Sequence, residues 1–107
     1  MIWKPLESNS DLDILLENSY QSPQVIFKHS TRCATSSLAK NRLQSNGQLN
    51  VYLLDVIGNR ELSNKIADDF KVWHESPQVL IISNGECTYD ESHLGIRADE
   101  ILEQIAA

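Results

Sequence analysis

Cysteine, proline and glycine are all scarce in this 107-residue chain, with two, three and four copies respectively. Two cysteines cannot make the disulfide framework that braces small secreted domains. The opening MIWKPLESNSDLD lacks the regions of a signal peptide, so the thiols are expected to be reduced, in a cytoplasmic compartment. There is no low-complexity tract and no internal repeat, and linkers are expected to be short loops only. Basic residues are also few: 9 Lys and Arg against 15 Asp and Glu give a net charge of −6, which argues against a nucleic-acid partner. No apolar run approaches the length of a membrane span. The three histidines, at 29, 74 and 93, show no metal-ligand spacing with either cysteine, so no metal is expected. What is present is ordinary: 41% hydrophobic and 22% charged residues, enough for one domain, residues 1–107, with a single core. A monomer is expected.

Hydrophobic patterning divides the chain into nine elements. Ile2 to Leu6 reads as a short strand, with Pro5 favouring an edge or a strand end. Ser8 or Ser10 caps a helix with apolar positions at Leu12, Leu15 and Leu16, and Asp11 and Asp13 suit its first turn. Gln24 to His29 reads as a buried strand. A second helix is expected from about Cys33 to Ser45, stopped by Asn46-Gly47. Asn50 to Val56 has almost no polar alternation, as in strands covered on both faces. A third helix follows Gly58-Asn59 with Leu62, Ile66 and Phe70 on one face. Pro77 precedes the apolar strand Val79 to Ile82, and Asn84-Gly85 predicts a hairpin returning through Cys87, Thr88 and Tyr89. A last helix from about Arg97 offers Ala98, Ile101, Leu102 and Ile105 as its buried stripe. The order βαβαβαββα predicts an α/β fold, a thioredoxin-like three-layer α/β/α sandwich with a mixed sheet.

Within that frame the stretch FKHSTRCATSSLAK carries the chemistry. Cys33 falls in the first turn of a helix, facing unpaired N–H groups and the positive end of the dipole. Both favour thiolate, the nucleophilic form. Arg32 adds positive potential, while the hydroxyls of Thr31, Ser36 and Ser37 are placed to donate to sulfur. Lys28 and His29 end the preceding strand, where sites of open α/β sheets gather, and both are candidates to contact a substrate. Ser36 stands where a second cysteine would complete a dithiol, so Cys33 can attack a disulfide but needs another thiol to resolve the product. Cys87 is expected about 20 Å away along a strand, too far to serve.

Pro77 is expected in cis after Ser76, beside Cys33, with backbone groups exposed for pairing to an extended substrate segment. Trp73 and His74 in the preceding loop are candidates to line a binding surface, or else a packed aromatic and a solvated histidine. Arg97 is either a contact for a substrate carboxylate or a surface arginine.

FKHSTRCATSSLA resembles the site of the monothiol bacilliredoxins of the YtxJ type, in which Lys-His-Ser is followed by a Thr-Cys-Pro-Ile-Ser-like segment. The similarity runs on through Trp3-Lys4-Pro5-Leu6, the strand ending in Asp55-Val56, Ser76-Pro77-Gln78-Val79 and the Gly85 turn. It implies a thioredoxin-like fold with Cys33 as nucleophile. It also implies removal of bacillithiol, a cysteine–glucosamine–malate thiol, from S-bacillithiolated client proteins, with no bound cofactor and the small thiol as co-substrate. Free thiol or a partner reductase would then restore Cys33. Ala34 replaces the usual proline after the cysteine and frees a backbone N–H; Thr35 replaces an apolar residue. A monothiol glutaredoxin using glutathione and a non-catalytic binding module are the alternatives.

Overall fold

The run QVIFKH has no polar alternation because both of its faces are covered. In the computed structural model, which describes residues 1–44 and 49–106, it is strand β2 (Gln24–His29) at the middle of a five-stranded sheet. Val25 and Phe27 point to one core with Ala39, Leu43, Val79, Ile81 and Ile101. Ile26 points to the other, with Leu12, Leu15, Leu54, Leu62, Ile66 and Leu80. Two apolar cores on opposite faces of one sheet make the expected three-layer sandwich.

The other elements are β1 (Ile2–Pro5), α1 (Asn9–Asn18), α2 (Ala34–Gln44), β3 (Asn50–Asp55), α3 (Arg60–Phe70), β4 (Gln78–Ser83), β5 (Glu86–Ser92) and α4 (Ala98–Ala106), with a 3₁₀ turn at His93–Gly95. Strands lie in the order β1-β3-β2-β4-β5. The first three run parallel, β4 is antiparallel to β2, and β5 is antiparallel to β4. Pro5 sits on the edge strand, where its missing donor leaves no gap in the ladder.

Local signals settle the boundaries. Ser8, rather than Ser10, caps α1, its hydroxyl accepting the Asp11 N–H at 3.1 Å. Asn84 and Gly85 both take positive φ, 52° and 78°, as a tight hairpin turn demands. The Asn46-Gly47 stop lies outside the described residues. In α4, Ala98, Ile101 and Ile105 pack inward, but Leu102 is exposed. Its position, one residue beyond Ile101, carries it about 100° round the helix and off a narrow contact face.

One end of the sheet collects the loops that matter. The Val56 N–H donates to His29 O at 3.0 Å and the His93 N–H to Pro77 O at 3.0 Å. The ends of β2, β3 and β5 therefore meet the start of β4, and α2 begins there and packs against the 3₁₀ turn.

Candidate thiol redox site

Cys33 is the cap of α2 rather than its first helical residue. Its carbonyl accepts the Ser37 N–H at 3.1 Å, the first bond of the helix, and its own N–H donates to Ser30 O at 3.2 Å. The next three N–H groups, of Ala34, Thr35 and Ser36, have no acceptor among the described residues. A helix start with free donors favours negative charge at this point. Cys33 is half-buried, and its sulfur makes no hydrogen bond among the described residues. Thr31 and Arg32 flank it on an exposed turn.

Ser36 does not donate to the sulfur as expected. It is fully buried, with Oγ 2.6 Å from His29 Nδ1 and 3.0 Å from the Ser30 N–H. Burial, then the nearby Lys40, lowers the His29 pKa from 6.5, so the ring is neutral at pH 7. Ser36 Oγ accepts the Ser30 N–H and shares a second hydrogen bond with His29 Nδ1, its direction set by the tautomer of the ring. The hydroxyl is thus engaged beneath the Cys33 turn. His29, stacked on Phe27 with ring centroids 5.8 Å apart, supports that turn from within.

Lys28 also departs from expectation. Alternation along β2 sends it to the face opposite His29, and it is fully buried there. Its Nζ donates to Ser63 O at 3.0 Å and lies 3.2 Å from His74 Nδ1, which is 3.1 Å from Ser63 Oγ. It cannot contact a substrate at Cys33. Burial pushes its pKa down to about 8. Between that value and the unfolded 10.5, the unfolded chain holds a proton that the folded chain has released, so stability rises with pH across this window. Below pH 8 the buried ammonium exerts its full cost. Lys28→Met is therefore expected to be more stable than the parent at pH 7 by about 3 kcal/mol, less what the lost Nζ hydrogen bonds contributed. The gap should close by pH 10.5, which urea unfolding across that range would reveal. The raised values of Tyr89 and the Cys87 thiol lower stability as pH rises, but they are common to both proteins and cancel in the difference.

The Ser76–Pro77 bond is cis. Lys28 pairs with Gln78 in the antiparallel register, so Pro77 comes alongside His29, at the Cys33 end. Pro77 O is taken by His93, but the N–H and C=O of Ser76 have no partner among the described residues, and its Oγ is buried without one. Trp73, three residues earlier, is 91% exposed. His74 is exposed and lines a surface pocket with Trp73, while its Nδ1 turns inward to Lys28 and Ser63.

Cys87 is at the other end of the sheet. It pairs with Ile82, packs against the α1/α3 core and donates its thiol to Tyr89 O at 3.3 Å, and burial raises its pKa. Arg97 is exposed and pairs with Asp99 at 2.7 Å. Among the described residues no three His, Cys, Asp or Glu side chains gather as metal ligands, and no helix is long and apolar enough to cross a membrane. Sequence reasoning missed Gln78 and Ser63 as polar anchors. The available signal was a charged residue inside a strand with no polar alternation, which demands buried partners.

A cap cysteine facing free amides, next to a cis-proline where β2 and β4 meet, is the working end of a thioredoxin fold with a thiol redox role. A solved structure described as a candidate oxidoreductase with a thioredoxin fold is 28% identical, with a TM-score of 0.85 over 99% of this chain and 95% of that one. Thioredoxin from Fasciola hepatica (18% identical, TM-score 0.73, 96% of each chain) shares the fold. So does spinach chloroplast thioredoxin f (14%, TM-score 0.73, 98% of this chain and 91% of that one). More narrowly, residues 4–101 match the profile of the monothiol bacilliredoxin BrxC family, and the chain belongs to that family.

Proposed function

We propose that the protein removes bacillithiol from mixed disulfides on client proteins by a monothiol mechanism, in a reducing cytoplasm. The Cys33 thiolate attacks the bacillithiol sulfur of a client–S–S–bacillithiol bond. The client leaves as a reduced thiolate, and Cys33 now carries bacillithiol in a new disulfide. A second thiol, free or on a reductase, attacks that disulfide and releases Cys33. Disulfides are exchanged one for one, so the first step needs no oxidant and no bound cofactor.

The observation that carries this reading is a half-buried Cys33 at a helix start, with Ser36 in the resolving position and its hydroxyl turned inward. Such a site can take up a small thiol but has no second sulfur with which to discharge it. Membership of the bacilliredoxin family supports bacillithiol as the small thiol.

The test is intact-mass spectrometry of the reduced protein mixed with a bacillithiol-capped client and, separately, with a glutathione-capped one. Transfer of the bacillithiol mass to Cys33, faster than that of glutathione, is expected. Equal transfer would mean a general monothiol exchanger, and no transfer from either would leave a binding module.

A further inference from the structure

Lys28 and Gln78 stand directly opposite each other on β2 and β4, and opposed residues of an antiparallel pair project to the same face. Both are buried, at 0% and 1% exposure, on the α1/α3 side of the sheet, away from the face of His29 and Ser36. Neither can reach the thiol. Each reaches the loop between α3 and Pro77.

Gln78 Nε2 donates to Trp73 O at 2.8 Å, and Gln78 Oε1 accepts the Glu75 N–H at 3.4 Å. Lys28 Nζ meets His74 Nδ1 and ties that ring to α3 through Ser63 O. The Ser92 hydroxyl donates to the Glu75 carboxylate, adding a tie from β5. Three consecutive residues, 73 to 75, are thus held by two adjacent buried side chains. The next residue is Ser76, whose backbone N–H and C=O have no partner among the described residues.

The pair is an expensive way to fill a core. No carboxylate pairs with Lys28 among the described residues, and an apolar side chain of the same length would occupy the site without desolvating a charge. What the polar pair gives instead is a fixed path for the loop, since each buried bond would leave an unsatisfied group if the loop moved.

We propose that Lys28 and Gln78 are positioning residues that hold the 73–75 loop so that Ser76 presents its N–H and C=O to an extended client segment at Cys33, favouring protein mixed disulfides over small ones. This rests on the reading of Cys33 as exchanging with protein-bound disulfides. Extended peptides bind through main-chain pairing of this kind, and a small molecule has no main chain to offer.

Lys28→Met and Gln78→Met are compared with the parent in three measurements: exchange with a thiolated client protein, alkylation of Cys33 by iodoacetamide, and hydrogen exchange of the Glu75 amide. In both variants client exchange is expected to fall about tenfold, through KM, while alkylation stays within about twofold. Exchange of the Glu75 amide, the one N–H of the loop with an acceptor among the described residues, should quicken about tenfold, with the sheet amides unchanged. Two variants guard against one that folds poorly, and unchanged sheet amides certify the fold of each. Client exchange unaffected in both variants overturns the proposal, as does alkylation falling by the same factor as exchange. If the parent exchanges with no client, the bacilliredoxin reading fails by itself. The hydrogen-exchange arm then still judges the clamp, and an unaltered Glu75 amide would refute it.

Discussion

Cys33→Ser is expected to abolish transfer of the small thiol, leaving no adduct in the mass spectrum, while the fold is kept. Serine oxygen forms no disulfide, and Cys87 cannot substitute. Its thiol is bonded to Tyr89 O, burial raises its pKa, and it pairs with Ile82, five positions along β4 from Pro77. At about 3.3 Å per residue that is roughly 16 Å of strand, well beyond disulfide reach. The substitution should not harm the helix. Position 33 is the cap of α2, and serine is among the preferred caps, its oxygen able to accept one of the free N–H groups that follow. An unchanged or slightly raised melting temperature with zero transfer would separate chemistry from folding. Residual adduct in the serine variant would mean that Cys87 is reachable and the one-sulfur reading is wrong.

Ser36→Cys should have the next largest effect, turning a carrier into a self-resolving dithiol. Positions 33 and 36 have the Cys-X-X-Cys spacing at a helix start, which suits an internal disulfide. Once Cys33 carries a small thiol, the introduced thiol attacks as an intramolecular nucleophile. Attack within one turn gains from proximity, so the lifetime of the adduct should shorten about a hundredfold or more. The product is an internal disulfide, seen as the loss of two hydrogens. The gain has a structural cost: the Ser30 N–H and His29 Nδ1 lose the hydroxyl that joined them, worth about 1–2 kcal/mol. Stopped-flow mixing followed by acid quench and mass spectrometry would time the adduct. A lifetime equal to that of the parent would show that the side chain at position 36 stays locked inward and cannot turn to sulfur.

Much of the fold could be read directly because local and global signals agree. Continuous apolar runs at β2, β3 and β4 declared strands covered twice, Ser8 declared a cap, and Asn84-Gly85 declared the hairpin. Cys33 at a strand-to-helix junction and Pro77 ahead of β4 were legible for the same reason. The facing of side chains near the site was less so. Lys28 and His29 are adjacent in sequence, and proximity to Cys33 suggested one shared role, yet the period of two separates them by the thickness of the sheet. Ser36 looked free to donate because one residue's hydrogen bonds depend on a histidine seven positions earlier. The anchoring of residues 73–75 depends on Gln78 and Lys28 meeting in register, a non-local fact of strand pairing.

The two cysteines sit at opposite ends of one sheet, and this has a consequence for stoichiometry. A dithiol protein supplies two electrons and leaves its client with nothing attached to itself. A chain with one reachable sulfur supplies half of a disulfide and leaves loaded. Under the proposed mechanism each molecule would clear one cap and then wait, so in a cell under oxidative load the number of caps removed per unit time would be set by copy number and by the rate of unloading. The speed of the first attack matters only until every copy is occupied.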